Sequence, residues 1–246
     1  MKYRKIAAVL LACGLCLGFA GCGANGKDYE AIQKAQEAVG ELESGKLQII
    51  TSFEQGNRRE AAATDFTFRM TEDGTLSYCH MQYDRNEKAV YCEYSDGKTS
   101  EHWLIGNGWS TTEPENYTRE HPHRFLRLVS ESFERKAVEK LEKAEEPDGT
   151  RYTLTLSPKK LNQTAYKEAD VEILSEEVTL TISPEGQLLR YSDQSRVLEK
   201  PNGEEGTYVL SMTLSEQNAV SEVKKPELKN HYTRASVENQ ENTAEE

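Results

Sequence analysis

The chain contains segments in which apolar positions recur with a regular spacing, and the first of them has the spacing of a helix. Over residues 28–42 the apolar side chains fall at Ile32, Ala35, Val39 and Leu42, three or four positions apart. Because an α-helix has about 3.6 residues per turn, this spacing places them on one face. The segment is therefore predicted to be an amphipathic helix whose apolar face packs against the core.

Alternation of apolar and polar residues then dominates, which is typical of half-buried β-strands. Turn-forming residues separate the alternating segments, so consecutive strands are predicted to pair as an antiparallel meander. Asn107 and Gly108 are predicted to form a two-residue turn in the last hairpin of this group. The alternating segments up to this point are KLQIITSFE, ATDFTFRM, GTLSYCHMQYD, KAVYCEYSDG and both arms of SEHWLIGNGWST.

Helices are predicted to interrupt the meander before it resumes. Apolar residues on one face predict a helix from about Pro122 to Lys143. Ser157 followed by Pro158 predicts the start of a short helix that runs to about Ala165. The predicted fold class is therefore α+β, an antiparallel sheet with an N-terminal helix and inserted helices. The later strands are TRYTLTLS, EEVTLTIS, GQLLRYSDQSRVLEK and GTYVLSMTLSE.

The chain begins with a segment that has the composition of an export signal. Residues 1–5 contain three positive charges, and residues 6–20 are apolar. This is the order found in a signal peptide, whereas a membrane-spanning helix requires about 20 apolar residues, and the run here is short and broken by glycines. Residues 1–21 are predicted to be a signal peptide that is removed on export.

Three cysteines in this region differ in their local sequence. The letters FAGC, which end at Cys22, resemble the bacterial lipobox, in which small residues precede a cysteine that is lipidated and becomes the new N-terminus. Cys13 ends a similar LLAC but would leave a shorter apolar region, and Cys16 fits the pattern least. Cys22 is predicted to carry the lipid, with residues 22–27 as a flexible tether. Its acyl chains suffice for lasting anchorage at the extracytoplasmic face of the cell membrane.

The charge balance limits the partners of the mature chain. The whole chain has a net charge of −12, and removal of the leader takes away three positive charges and leaves −15 over 225 residues. Such a chain lacks the clustered Lys and Arg that nucleic acid and anionic lipid surfaces require. The lipid on Cys22, rather than charge, is predicted to hold the protein at the membrane. Residues 221–246 have almost no large apolar side chains and are predicted to be a disordered acidic tail.

The chain carries no sequence signature of catalysis or of cofactor binding. The motifs of serine hydrolases, nucleotide-binding loops, dinucleotide-binding folds and zinc peptidases are absent. Only His121 and His123 form a close histidine pair, and no Cys or Asp stands at ligand spacing from them, which favours a solvated loop over a metal site. We therefore expect a protein that is not an enzyme and that has no metal or cofactor.

The order of these elements resembles that of the LolA/LppX/LprG-like bacterial lipoproteins, with local similarity in DGKTSEHWLIGNGW and VTLTISPEGQLLRYS. The resemblance implies a strongly curved antiparallel half-barrel sheet, closed on one face by helices, in a single domain over residues 28–220. It also implies an apolar space that can hold acyl chains. The function that follows is a non-catalytic binding module for a lipid or another hydrophobic ligand. The alternative is a cell-envelope interaction or sensor protein with a filled core and an unidentified protein partner.

Aromatic residues on the predicted strands are candidates for the lining of such a ligand cavity. The candidate lining residues are Phe66, Phe68, Trp103 and Trp109. Aromatic residues also alternate on any half-buried sheet, without a cavity. The sequence leaves both interpretations open, a ligand cavity and a packed core.

Cys79 and Cys92 are the two cysteines that remain after lipidation. If Arg85 and Asn86 form a two-residue turn, Cys79 lies directly opposite Cys92 in the hairpin, within the range of a disulfide. An exported protein can keep such a bond. Two buried thiols are an equal alternative.

Overall fold

The computed structural model describes residues 26–71, 73–112, 126–127, 129 and 133–228, and within them eleven strands form one open antiparallel sheet. The order across the sheet is β6-β5-β4-β3-β2-β1-β11-β10-β9-β8-β7. The elements are α1 (Gly26–Gly40), β1 (Ser44–Gln55), β2 (Arg58–Met70), β3 (Leu76–Tyr83), β4 (Ala89–Ser95), β5 (Ser100–Leu104), β6 (Gly108–Thr112), a 3-10 turn (Arg135–Ala137), β7 (Val138–Glu146), β8 (Gly149–Leu156), α2 (Pro158–Gln163), β9 (Val171–Ile182), β10 (Leu188–Glu199) and β11 (Glu204–Ser215).

The structure confirms the predicted α+β class, an N-terminal helix followed by an antiparallel sheet with a few further helical turns. The leader with Cys13, Cys16 and Cys22 lies outside the described residues, as do His121, His123 and residues 229–246. None of the helices in the described part of the chain is both long and apolar enough to cross a membrane.

The helix predicted up to Lys143 is wrong in its second half, because residues 138–146 form strand β7 at one end of the sheet. This strand pairs with β8, with Leu141 opposite Leu154. Its charged residues pair two positions apart, as in the 2.9 Å contact between Lys140 and Glu142, whereas a helix pairs residues three or four apart. Pairing with an existing strand edge thus overrides the weak helical pattern.

Contacts divide the described chain into two compact units. Of the described residues, the first unit contains 26–41, 53–59 and those between 126 and 211, and the second contains 42–52, 60–112 and 212–228. Each unit has its own buried residues.

In the first unit, helix α1 packs against β9 and β10 through the apolar face that the sequence predicts. Ile32, Ala35 and Val39 are buried there, and the Gln36 side-chain amide donates a 2.8 Å hydrogen bond to the Val129 carbonyl. The bond satisfies the one polar group on the buried face of the helix, so the helix is fixed by packing and by a buried hydrogen bond.

In the second unit, the chain between residues 221 and 228 packs against the sheet, which corrects the predicted start of the disordered tail. Val223 is 6% exposed, and Leu228 contacts the cluster formed by Ala63, Met81, Tyr83, Ala89, Cys92 and Trp103. Lys225 forms an ion pair with Glu101, and its Nζ lies 4.3 Å from the centre of the Trp109 ring. The few apolar residues of this segment are placed where they can be buried, which composition alone does not reveal.

We expect truncation after Val220 to destabilise the second unit. Losing the burial of Val223 and Leu228 should lower the free energy of unfolding by on the order of 2–4 kcal/mol, measured by urea unfolding. Truncation after Leu228 is the matched control, because it retains every contact described above. Equal unfolding midpoints for the two truncated chains would contradict the stabilising role of residues 221–228.

The predicted two-residue turn at Asn107 and Gly108 is wrong, because the loop has three residues. Leu104 pairs with Gly108, which leaves a three-residue loop, and the positive φ values belong to Gly106 (86°) and Gly108 (77°) rather than to Asn107. Two glycines bracket the asparagine, so the chain places the left-handed conformations on residues without a Cβ atom.

Candidate functional site

The four aromatic residues predicted to line one cavity lie on opposite faces of the sheet. Phe66 pairs with His80, His80 with Glu93, and Glu93 with His102, and directly paired residues share a face. Trp103 follows His102 and therefore lies on the other face, where it pairs with Trp109. As a set, the predicted cavity lining is wrong.

Each aromatic pair is instead part of a packed layer. Phe66 and Phe68 are each 1% exposed, and their rings stack with centroids 5.7 Å apart. Trp103 is 2% exposed and belongs to the cluster that Leu228 covers, with Trp109 partly buried beside it. The core interpretation therefore holds for Phe66, Phe68 and Trp103.

Glu93, a buried glutamate of the second unit, accepts hydrogen bonds from two tyrosines. Tyr78 donates a 2.6 Å hydrogen bond to Glu93 Oε1, and Tyr91 donates a 3.2 Å bond to Oε2. Both carboxylate oxygens are thus satisfied, which makes this cluster a structural feature rather than a ligand site.

The two cysteines are neighbours, but in a different register from the predicted one. Met81, not Cys79, lies opposite Cys92, and Cys79 lies opposite Tyr94. The loop is longer than two residues because the Asp84 carboxylate accepts backbone hydrogen bonds from Asn86 (2.8 Å) and Lys88 (3.0 Å). An aspartate that binds nearby backbone amides in this way stabilises a wider turn.

Cys79 and Cys92 nevertheless share a face, and their sulfurs are 3.9 Å apart and not bonded. The contact with Cys79 and burial raise the pKa of the Cys92 thiol. Cys79 is only half-buried, so it is the thiol that an external oxidant reaches first. The disulfide stays a prediction.

We expect oxidised glutathione to close the bond between Cys79 and Cys92. The two thiols lose two hydrogen atoms and the glutathione disulfide is reduced to two thiols, and the sulfurs need to move only from contact to a bond length of about 2 Å. Mass spectrometry should show the loss of two hydrogen atoms, and thiol titration the loss of two thiols. The Cys79→Ser variant is the control. A stable mixed disulfide with glutathione on the unsubstituted protein would show that the bond cannot close.

A pair of buried carboxyl groups, Glu176 and Asp193, is the feature that sequence reasoning missed. Glu176 of β9 lies opposite Ser195 of β10, and Asp193 lies opposite Val178. Both acidic residues therefore share one face of the sheet, and they are 4% and 6% exposed. The buried apolar residues on the same face include Leu154, Leu156, Val178, Leu180, Tyr191 and Val197.

A bulge in β9 brings Glu176 to this face. Ser175 pairs with Arg196 and Ile173 pairs with Val197, so Leu174 is an extra residue and the alternation shifts by one position. Alternation from the C-terminal end of β9, in steps of two from Ile182, places Glu176 on the buried face, and this pattern could have identified it from the sequence. Alternation from Val171 at the other end places Glu176 on the exposed face, because the bulge lies between the two.

Burial dominates the electrostatics of the pair. It raises the pKa of Glu176 to about 8, and the negative charge of Asp193 adds to the rise. Burial also raises the pKa of Asp193 to about 6, although the Ser195 hydroxyl, which donates a 3.2 Å hydrogen bond, opposes this. Tyr208 beside them has its pKa raised to about 12 by burial and by Asp193. Both carboxyl groups therefore keep their protons to a higher pH than exposed carboxyl groups do.

The carboxyl pair lacks the partners that buried charges usually have. Within the described residues, neither carboxyl forms a salt bridge with Lys or Arg, and Glu176 Oε2 is buried without a hydrogen-bond partner. Buried charges and buried polar atoms are normally paired. The site thus offers an unpartnered carboxyl oxygen inside an apolar layer.

A surface depression of about 730 Å³ lies elsewhere in the first unit. It lies between the β1–β2 and β10–β11 turns, and its lining is polar. The residues are Gln55, Gly56, Asn57, Arg58, Glu199, Asn202, Glu204 and Glu205. Such a surface does not suit an apolar ligand. Among the described residues, no group of three or more His, Cys, Asp or Glu side chains is placed to hold a metal ion.

No protein-family model and no curated protein matches the chain. Among solved structures, it is similar to LprF from Mycobacterium bovis (13% identity, TM-score 0.47, 81% of this chain and 97% of that one). It is also similar to the lipoprotein LppX from Mycobacterium tuberculosis (14%, 0.45, 79% and 97%) and to a LolA superfamily protein from Nitrosomonas europaea (11%, 0.27, 76% and 93%).

Proposed function

We propose that the protein is an extracytoplasmic lipoprotein, anchored through lipidated Cys22, whose folded part binds an apolar or amphipathic ligand without catalysing a reaction. The observation that carries the binding role is the carboxyl pair Glu176–Asp193 within an apolar face of the sheet. Ligand sites are commonly apolar surfaces with a few polar groups that orient the ligand. The pair has this composition, and Glu176 Oε2 lacks the hydrogen-bond partner that a ligand donor would supply.

The anchoring part of the proposal rests on the leader. The charged start, the apolar run and the FAGC sequence that ends at Cys22 agree with one another in order and length. The absence of a catalytic sequence signature favours binding over an enzymatic role.

Native mass spectrometry of the protein purified in mild detergent tests the binding role. The matched sample is the Cys22→Ala variant, which carries no covalent lipid, so any bound amphiphile in it is held by the folded part. We expect both proteins to retain a non-covalent adduct with the mass of an amphiphile. A protein that is free of adducts and that binds no alkyl probe would favour the alternative, an envelope interaction or sensor protein with a filled core.

A further inference from the structure

We propose that the carboxyl pair Glu176–Asp193 binds the ammonium group of a cationic amphiphile. The inference rests on the proposed function and specifies the ligand class of that same site. It starts from geometry: two acidic side chains on adjacent strands share a buried face, and one of their oxygens, Glu176 Oε2, has no hydrogen-bond partner among the described residues.

The missing partner of the pair is a cation that donates hydrogen bonds. Removing a carboxylate from water is unfavourable unless a positive charge or several donors replace the water. The groups beside the pair on its own and neighbouring strands include the Ser195 hydroxyl, the Tyr208 phenol and the apolar Leu156 and Val178. Helix α1, which contacts β9 and β10, has only uncharged buried residues: Ile32, Ala35, Gln36 and Val39. These groups are uncharged near neutral pH, so nothing described around the pair supplies the positive charge.

An ammonium group on an alkyl chain fits this environment better than other ligand chemistries. It is compact and has up to three N–H donors, enough for Glu176 Oε2 and an Asp193 oxygen together. The apolar side chains on the same face would contact the chain of the ligand, which a free amine lacks. A carboxylate ligand would place a third acidic group beside two carboxyl groups, which is unfavourable at short range.

Binding of matched twelve-carbon probes tests the proposal. The full mature chain with Cys22→Ala is titrated at neutral pH with dodecylammonium, dodecanol and dodecanoate, and with ethylammonium as the probe that has no chain. We expect dodecylammonium to bind roughly 10-fold or more tightly than dodecanol, since a charge-assisted hydrogen bond replaces a neutral one. Dodecanoate should bind less tightly than dodecanol, and ethylammonium more weakly than dodecylammonium.

Variants assign this preference to the site. Asp193→Asn should reduce the preference for dodecylammonium over dodecanol to about that of a neutral site while chain binding persists. Glu172→Gln is the matched control, because Glu172 is an exposed acidic residue of the same strand as Glu176. It should keep the full preference. A preference that survives Asp193→Asn, or ethylammonium binding as tightly as dodecylammonium, would overturn the proposal.

Proton release gives a second measurement that needs no substitution in the site. An ammonium ion favours the ionised pair, so binding of dodecylammonium near neutral pH should release protons, which calorimetry in two buffers of different ionisation enthalpy detects. Binding of dodecylammonium without proton release would overturn the ammonium assignment and leave the proposed function in place. If none of the twelve-carbon probes binds, the proposed function itself fails.

Discussion

Replacing Cys22 with Ala should release the protein from the membrane fraction. Cys22 is the predicted attachment point of the acyl chains, and the remaining chain is too acidic for electrostatic adsorption to anionic lipid. The change should therefore be close to all-or-none, measured by fractionation and by mass spectrometry of the N-terminal peptide.

Cys13→Ala is the matched control for this experiment. Cys13 lies within the predicted leader, so its substitution should leave lipidation and anchorage unchanged. A Cys22→Ala protein that remains lipidated and membrane-bound would transfer the attachment to Cys13 or to an uncleaved leader.

The Glu176→Gln variant should become more stable than the unsubstituted protein as the pH rises. Burial raises the pKa of Glu176 from its usual 4.5 to about 8 in the folded protein. Below about pH 4.5 the carboxyl is protonated in both states, and between there and pH 8 the folded state holds more protons than the unfolded state. Its contribution to stability is therefore full at low pH and is lost as the pH rises through the folded-state pKa. Asp193 acts in the same direction at lower pH, up to about 6.

Glutamine has the shape of the protonated acid and cannot ionise, so the Glu176→Gln variant does not lose stability through ionisation at position 176. Above pH 8 the stability difference should be on the order of 4 kcal/mol in favour of Glu176→Gln, and near pH 4 it should be small. Urea unfolding at several pH values measures it, with the exposed Glu172→Gln as control. Parallel stability curves for the Glu176→Gln and unsubstituted proteins would show that Glu176 ionises normally in the folded state.

The periodic patterns along the chain determined most of the elements and their order. Helix α1 and the strands from β1 to β6 and β8 to β11 lie where spacing predicted them, because apolar periodicity is a local property of the chain. The antiparallel class follows for the same reason, since short turns between alternating segments allow little else. The interpretation of the leader and of Cys22 also uses only local sequence.

Pairing between strands was decided by the tertiary structure, because register depends on loop geometry and bulges. The Asp84 hydrogen bonds stabilise a longer loop, and a register shift between Gln82 and Tyr83 follows it, so that Cys92 lies opposite Met81. The face of each aromatic residue followed from pairing across four strands, which separated Phe66 from Trp103.

Long-range contacts determined the remaining features. Strand β7 replaced half of a predicted helix because β8 offered a strand edge, and Val223 is buried although its segment has little apolar surface. The carboxyl pair exists only because a bulge at Leu174 turns Glu176 to the face that Asp193 occupies. The sequence by itself thus determined the elements and the predicted export signal, whereas only the folded chain decided which side chains meet, because that depends on contacts between residues distant in sequence.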